Sequence, residues 1–262
     1  MTKYLRLFRV QLGISVAQAM AYRANFLLEG VFGIANALLT LLPLIVVYAK
    51  ADEFNNWTYP DALVVMAYFQ ALRAILEGVI SPSLVDLVQN IRNGSFDYVL
   101  LKPVDAQMLV SAARYEPWKI FDLLFAIGLA VYAFMLRGYP PSVPDVVFGL
   151  ALLASGAVAM YGLWIICAAL AFWVGRLDNL MFLLGSIFDT ARWPVAVFPG
   201  IWRLFFTFVI PVAVMTTFPA MAILGRLEPR QAVGTLVGAI ALLAVSRVVW
   251  RAALRSYTSA SS

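Results

Sequence analysis

The chain contains no histidine and a single cysteine, Cys167, among its 262 residues. Without histidine, the commonest general base and a frequent metal ligand are missing, which excludes most familiar catalytic arrangements. A lone cysteine cannot form a disulfide within the chain. The sequence also has no Gly-Lys pair, so it lacks the phosphate-binding loop of ATP-hydrolysing proteins. Any ATP hydrolysis must therefore come from another chain.

Charge is scarce as well. Only 13% of the residues are charged, 63% are hydrophobic, and the mean hydropathy is +0.87. A soluble chain of this length would carry about twice as many charged residues. The net charge is +5, but the Lys and Arg residues are spread along the sequence instead of forming a basic patch with interleaved aromatics. This distribution disfavours a nucleic-acid partner and the composition predicts an all-α integral membrane protein.

Six apolar stretches are each long enough to cross about 30 Å of hydrocarbon as a helix. The predicted transmembrane spans lie at 26–48, 62–81, 117–136, 146–174, 180–198 and 231–254. They belong to one transmembrane domain over 1–262, in which spans one and two occupy 26–81, spans three to five occupy 117–198, and span six with its tail occupies 231–262. Residues 1–25 have apolar residues at helical spacing and no acidic residue before the first span, which predicts an amphipathic helix on the cytoplasmic membrane surface.

The basic residues predict the orientation of these spans. With the first residues inside, the cytoplasmic segments hold 11 Lys and Arg and the outer segments hold five. Because basic residues concentrate in cytoplasmic segments, we expect both termini in the cytoplasm.

The stretch 199–230 does not fit a simple outer loop, since it is apolar and is interrupted by Pro199, Pro211 and Pro219. Proline removes a helical hydrogen bond, so a broken, re-entrant pair of helices in the outer leaflet is favoured. The alternative is a true span over 204–224. That alternative gives seven spans and places the basic C-terminus outside.

The residues 82–116, here called the polar segment, separate spans two and three. Its part 84–93 predicts a short amphipathic helix ended by Gly94. Asp97 and Lys102 then flank an apolar run at 98–101, ahead of Pro103. A cytoplasmic apolar knob with charges at its rim is typical of an element that inserts into the groove of a partner protein. The plain alternative is a solvated loop.

Two groups of polar residues lie within predicted spans, where charges are expensive and usually face a protein interior or a water-filled cavity. Gln70, Arg73 and Glu77 form one helical stripe on span two, and Asp189 and Arg192 are three residues apart on span five. Both groups have two interpretations. They are either internal ion pairs that hold helices together or residues that line a substrate path.

The string from Gly94 to Pro103, with Trp193-Pro194, the run 198–202 and Ile210-Pro211, resembles the permease subunits of type-2 ATP-binding-cassette (ABC-2) exporters. It is most similar to the bacterial viologen or multidrug exporter permeases, over essentially the whole chain. The resemblance implies six helices, an interfacial N-terminal helix, a coupling helix between spans two and three, and re-entrant helices before span six. It assigns ATPase coupling to Gly94, Phe96, Asp97, Leu100, Leu101, Lys102 and Pro103.

The function expected from this resemblance is that of a permease without enzymatic activity of its own, in the bacterial cytoplasmic (inner) membrane. The chain would bind no cofactor, since ATP and Mg²⁺ would lie on two copies of a separate ATPase subunit. A second permease subunit, identical or paralogous, would complete the path for hydrophobic or cationic compounds. The alternative is a secondary transporter or channel that uses the intramembrane charges without an ATPase.

Overall fold

The computed structural model describes residues 2–174 and 178–257. Arg176, one of the basic residues expected in the cytoplasm, and the tail beyond residue 257 lie outside this range. Apart from a hairpin of two short strands, the described chain is helical. Its elements are α1 Thr2–Ala21, α2 Arg23–Tyr48, β1 Glu53–Phe54, β2 Trp57–Thr58, α3 Tyr59–Ile75, α4 Ser81–Arg92, α5 Asp97–Leu100, α6 Ala106–Ser111, α7 Ile120–Arg137, α8 Val143–Ala169, α9 Asp178–Phe188, α10 Gly200–Leu204, α11 Phe218–Ile223 and α12 Pro229–Ser256.

Short turns of other helix types extend several of these elements. Turns of 3₁₀-helix at Pro117–Lys119 and Leu170–Phe172 precede α7 and follow α8. A π-helical turn at Leu76–Ile80 joins α3 to α4, so the two form one long helical run. The consequence is a local widening of the helix at the point where the predicted second span meets the polar segment.

Five helical runs in the described part of the chain are long and apolar enough to cross a membrane. They are Arg23–Tyr48, Tyr59–Arg92, Pro117–Arg137, Val143–Phe172 and Pro229–Ser256. These runs contain or closely match five of the six stretches predicted as spans. The prediction of an all-α membrane protein is thereby confirmed.

The predicted span at 180–198 takes a different form. Its helix, α9, has 11 residues and rises only about 16 Å, roughly half of the hydrocarbon thickness. A 3₁₀ turn at Asp189–Arg192 follows, and Trp193 is extended, with ψ of 142°. The residue before a proline avoids the helical region, so Pro194 ends the helix here. The structure therefore does not confirm a straight fifth span, nor the count of six.

Pro211 breaks the chain in 199–230 as predicted, whereas Pro219 lies inside a continuous helical run and does not interrupt it. The first arm comprises α10 and a π-helical turn at Phe205–Val209, and it ends at Ile210, which is extended with φ of −114° and ψ of 96°. The second arm, Ala213–Ile223, begins after Pro211. One straight helix over 204–224, the alternative with seven spans, is not formed. A position in the outer leaflet stays a prediction.

The second arm and α3 occupy the centre of the molecule. Nearly every side chain from residue 61 to residue 72 of α3 is buried, as are residues 213–217 of the arm. Gly156 lets α8 approach the arm closely, since an added methyl group there would lie 2.8 Å from the carbonyl oxygen of Met215. By contrast, α2, α7 and α12 expose apolar faces, which suits contact with lipid.

Helix α1 is tied to the end of the polar segment. Gln11 donates a side-chain hydrogen bond to the carbonyl oxygen of Ala113, and the hydroxyl of Ser15 accepts one from the backbone N–H of Tyr115. The predicted N-terminal helix therefore exists, and it contacts the segment expected to bind a partner. Its place on the membrane surface stays a prediction.

Candidate functional site

The polar segment reverses direction directly after α4. Asn93 ends the helix and Gly94 follows with φ of +73°, a conformation that glycine adopts without the strain of a side chain. The backbone N–H of Phe96 returns to the carbonyl oxygen of Asn90 at 3.1 Å, and the hydroxyl of Ser95 lies 3.0 Å from the side-chain oxygen of Asn90. This tight turn presents the short helix α5 beside the end of α4, as the role predicted for Gly94 requires.

An apolar patch lies on α5 and the residue after it. It consists of Tyr98, Leu100 and Leu101, whose exposed fractions are 71%, 44% and 80%. Lys102 and Pro103 beside it are exposed, and Asp97 is half-buried. On the cytoplasmic side, where the polar segment is predicted to lie, exposure of three such apolar side chains is unfavourable unless a partner covers them. The patch therefore has the form expected of a docking element, and the identity of the partner stays a prediction.

Phe96 does not belong to this patch. Its side chain is fully buried in an aromatic cage formed with Phe172, Trp250 and Tyr257. The ring centroids of these residues lie 5.2, 6.4 and 5.3 Å from that of Phe96, and all three pairs are edge-to-face. Phe96, which the resemblance assigns to ATPase coupling, is therefore not on the exposed surface but anchors the polar segment inside this chain.

A second anchor joins the polar segment to the middle of the fold. Both terminal nitrogens of Arg247 on α12 donate to the carboxylate of Asp105, and Nη1 also donates to Gln107 Oε1 at 2.8 Å. Gln107 Nε2 donates to the hydroxyl of Tyr161 on α8 at 3.2 Å, and Ser111 Oγ lies 2.7 Å from the same hydroxyl. The hydrogen bonds from Arg247 lower the pKa of Asp105 below its usual value. Sequence reasoning missed this network.

The charges of span two are part of a longer chain of ion pairs. Arg73 Nε lies 2.8 Å from Glu77 Oε1, which agrees with the predicted pairing. Glu77 Oε2 forms a second ion pair with Lys119 Nζ. The same nitrogen lies 3.0 Å from Asp122 Oδ2. Two cations thus alternate with two carboxylates between α3 and α7. The last two residues were missed, although their spacing of three residues at the start of span three was a usable signal.

Gln70 is separate from these charges. Its amide is buried and donates to Thr40 Oγ1 at 2.9 Å and to the carbonyl oxygen of Ala37 at 3.3 Å, which fastens α3 to α2. Asp189 and Arg192 form a loose ion pair of 3.9 Å, and Arg192 Nε donates to the backbone carbonyl of Asp189 at 2.7 Å. Each of the two predicted groups thus contains its own ion pair, and Asp189 also interacts electrostatically with Arg73.

A cavity of about 390 Å³ opens beside Glu77. Its lining includes the carboxylates Asp86 and Glu116, the cations Arg114 and Lys119, and the indole ring of Trp118. Burial raises the pKa of Glu116 above its usual value, although Arg114 partly offsets this effect. Arg114 lies 3.7 Å from Asp86 and 3.1 Å from Glu116, so both carboxylates are paired with a cation of the chain. The cavity lies at the π-helical turn, where local distortions of a helix are often functional.

A further missed cluster fastens the opposite end of α3. Asp61 is only 1% exposed, and its carboxylate lies 2.8 Å from Arg226 Nη1 and 3.4 Å from Arg137 Nε. Thr58 Oγ1 donates to the same carboxylate at 2.9 Å. Because a buried carboxylate needs partners, this cluster fixes the segment after α11 and the end of α7 to the start of α3.

A match to a known protein family spans the residues that carry nearly all of these features. Residues 34–261 match the family model described as ABC-2 family transporter protein. No curated protein matches the chain in a sequence search. The match includes the polar segment, the chain of ion pairs and the proline-broken arms, and it extends over well more than half of the sequence. The chain therefore belongs to the ABC-2 family of transporter proteins.

Proposed function

We propose that this chain is the permease subunit of an ATP-driven ABC exporter, in which a separate ATPase binds the polar segment. The observation that carries the proposal is the apolar patch of Tyr98, Leu100 and Leu101. It protrudes from a segment that is anchored to the rest of the fold through Phe96. A rigid protrusion with an uncovered apolar surface suits a partner that must exert force on it.

The assembly that we propose contains two ATPase subunits and a second permease, identical or paralogous. ATP and Mg²⁺ bind to the ATPase subunits. Both termini and the polar segment face the cytoplasm of a bacterial cell, and α1 lies on the inner surface of its cytoplasmic membrane. Asp97 and Lys102 flank the patch and set the register of the ATPase against it, because charges at the rim of an interface contribute more to orientation than to affinity.

We further propose that the cargo is hydrophobic or cationic, as for the viologen and multidrug exporter permeases. Support comes from the resemblance to those permeases and from Trp118 in the cavity beside Glu77, an indole ring on which a flat or cationic compound can stack; the carboxylates there are shared with Arg114 and Lys119. The alternative, a secondary transporter without an ATPase, needs a carboxylate that exchanges ions freely. Glu77 is held by two fixed cations at once, which disfavours that role.

The test of coupling replaces both Leu100 and Leu101 by Asp. The complex is purified through a tag on the chain from its native membrane, and ATPase content, substrate-stimulated hydrolysis and melting temperature are measured. We expect loss of the ATPase or of stimulated hydrolysis with an unchanged melting temperature. Gln89→Asp is the control for added charge, because Gln89 is exposed on the same segment outside the patch. Normal hydrolysis in the double variant would contradict the assignment.

The proposed orientation has its own test. A cysteine in place of Asn93 should react only with a reagent applied from the cytoplasm. A cysteine in place of Asn55, which is exposed in the turn of the hairpin, should react only with a reagent applied from outside. The native Cys167 is buried and gives little background. Labelling of position 93 from outside, or of position 55 from the cytoplasm, would contradict the proposed orientation.

A further inference from the structure

We propose that Asp105 and Arg247 are positioning residues that transmit the movement of the polar segment to α12 and thereby couple ATP hydrolysis to transport. This inference rests on the proposed function. It goes further by naming the helix that receives the movement. The observations that carry it are two separate attachments between the polar segment and the same end of α12.

The first attachment is rigid because of its geometry. Arg247 holds Asp105 with both terminal nitrogens, and the planar guanidinium fork fixes the direction of the carboxylate as well as its distance. Asp105 is itself fixed, since its side chain accepts a hydrogen bond from the backbone N–H of Met108 at the start of α6. Gln107, which is buried, adds a third bond to Arg247. The pair therefore has little freedom to slide.

The second attachment lies one helical turn further along α12. Trp250 is three residues after Arg247, so the two side chains are neighbours on the same face of the helix. Trp250 contacts Phe96 within the aromatic cage, where both rings are almost completely buried. Two contacts at different points of one helix resist rotation as well as translation, which a single contact would not do.

The movement can then pass into the centre of the fold. Helix α12 packs closely on α8, since the backbone at Leu242 approaches Gly162 so nearly that an added methyl group would lie 3.1 Å from it. The hydroxyl of Tyr161, beside this glycine, also bonds to the polar segment through Gln107 and Ser111. Helices α8 and α12 are thus held by the polar segment as a unit.

The direct connection from the polar segment to α3 is a continuous helical run. It runs through the π-helical turn Leu76–Ile80, where the regular hydrogen-bond pattern of the helix is interrupted. Such turns are points at which helices bend. We therefore assign the bending to this turn and the transmission of force to the ion pair between Asp105 and Arg247.

The test compares Asp105→Asn, Arg247→Gln and the variant that contains both changes in the complex purified from native membranes and reconstituted in liposomes. Asparagine keeps the helix-capping ability of Asp105, so only the ion pair is removed. Ethidium, a lipophilic cation, is the transport probe. The readouts are ATPase content, the rate of ATP hydrolysis, and the amount of ethidium moved per ATP hydrolysed. Arg247→Lys keeps the charge without the fork.

We expect normal ATPase content and retained hydrolysis in all variants, while ethidium moved per ATP falls about three- to ten-fold in both single variants and no further in the double variant. Arg247→Lys should lie between these variants and the wild-type chain. A purely structural role would instead lower ATPase content and hydrolysis together, and that result would overturn the inference. An unchanged amount of ethidium moved per ATP in Asp105→Asn would also overturn the inference. Ethidium transport by the wild-type chain without any ATPase would instead refute the proposed function itself.

Discussion

Replacement of Phe96 by alanine tests the division of the polar segment into an anchor and a docking patch. Phe96 is fully buried and makes three edge-to-face ring contacts, whereas Tyr98, two residues later, is 71% exposed. The two aromatic side chains are neighbours in sequence, so sequence reasoning could not assign them to different roles. Their substitution by alanine should therefore have very different consequences.

The magnitude follows from burial and ring contacts. Removal of a buried phenylalanine side chain costs about 3–5 kcal/mol, part of which is the loss of ring pairs at about 0.5–1.5 kcal/mol each. Phe172 keeps its contacts with Trp250 and Tyr257 at 5.7 and 5.6 Å, so the cage does not collapse entirely. We therefore expect Phe96→Ala to cost about 3 kcal/mol, which corresponds to a fall of about 6–12 °C in melting temperature.

The assay is thermal unfolding of the purified chain in lipid nanodiscs, followed by tryptophan fluorescence, to which Trp250 in the cage contributes. Phe96→Leu keeps much of the apolar volume without the ring contacts, and its loss should be about half as large. Tyr98→Ala is the matched control and should change the free energy of unfolding by no more than about 0.5 kcal/mol. Equal melting temperatures for Phe96→Ala and Tyr98→Ala would refute the assignment of Phe96 as an anchor.

Two further predictions concern the contact between α3, α7 and α2. Because Glu77 binds both Arg73 and Lys119, Glu77→Gln should cost about 2–3 kcal/mol and Arg73→Gln only about 1 kcal/mol, as measured by melting temperature; equal losses would show that the second pair contributes nothing. A methyl group at Gly33 would overlap the carboxylate of Asp122 on α7. Gly33→Ala should therefore destabilise the chain by about 1–3 kcal/mol. Gly128→Ala, at a site with no neighbour within 4 Å, should be neutral or slightly stabilising; a similar effect of both substitutions would contradict the close contact of α2 with α7.

The helices were predictable because their signal is local. Long apolar runs predicted five helical runs that the structure contains, and Pro211 predicted the break between the two arms. The same signal overestimated the stretch at 180–198. Its composition is that of a span, but Trp193-Pro194 ends the helical conformation before the stretch is complete. Hydropathy averages over a window and does not register a single residue that stops a helix.

The candidate site was only partly predictable, because its contacts join residues far apart in the sequence. The exposed patch at Leu100 and Leu101 could be predicted from the residues that flank it in the sequence, Asp97 and Lys102. The cage around Phe96 depends on Trp250, and the ion pair of Asp105 depends on Arg247. No local pattern indicates such partners. The packing of α12 beside α8 and the polar segment creates them.

The most direct test of the proposed function is ATP-driven transport by the purified complex. The complex obtained through a tag on the chain is reconstituted in liposomes, and ethidium movement is followed by fluorescence. We predict movement that requires ATP, stops when the ATPase is made unable to hydrolyse it, and persists when ionophores remove every ion gradient. Movement driven by an ion gradient with this chain alone would contradict the proposal and establish a secondary transporter instead.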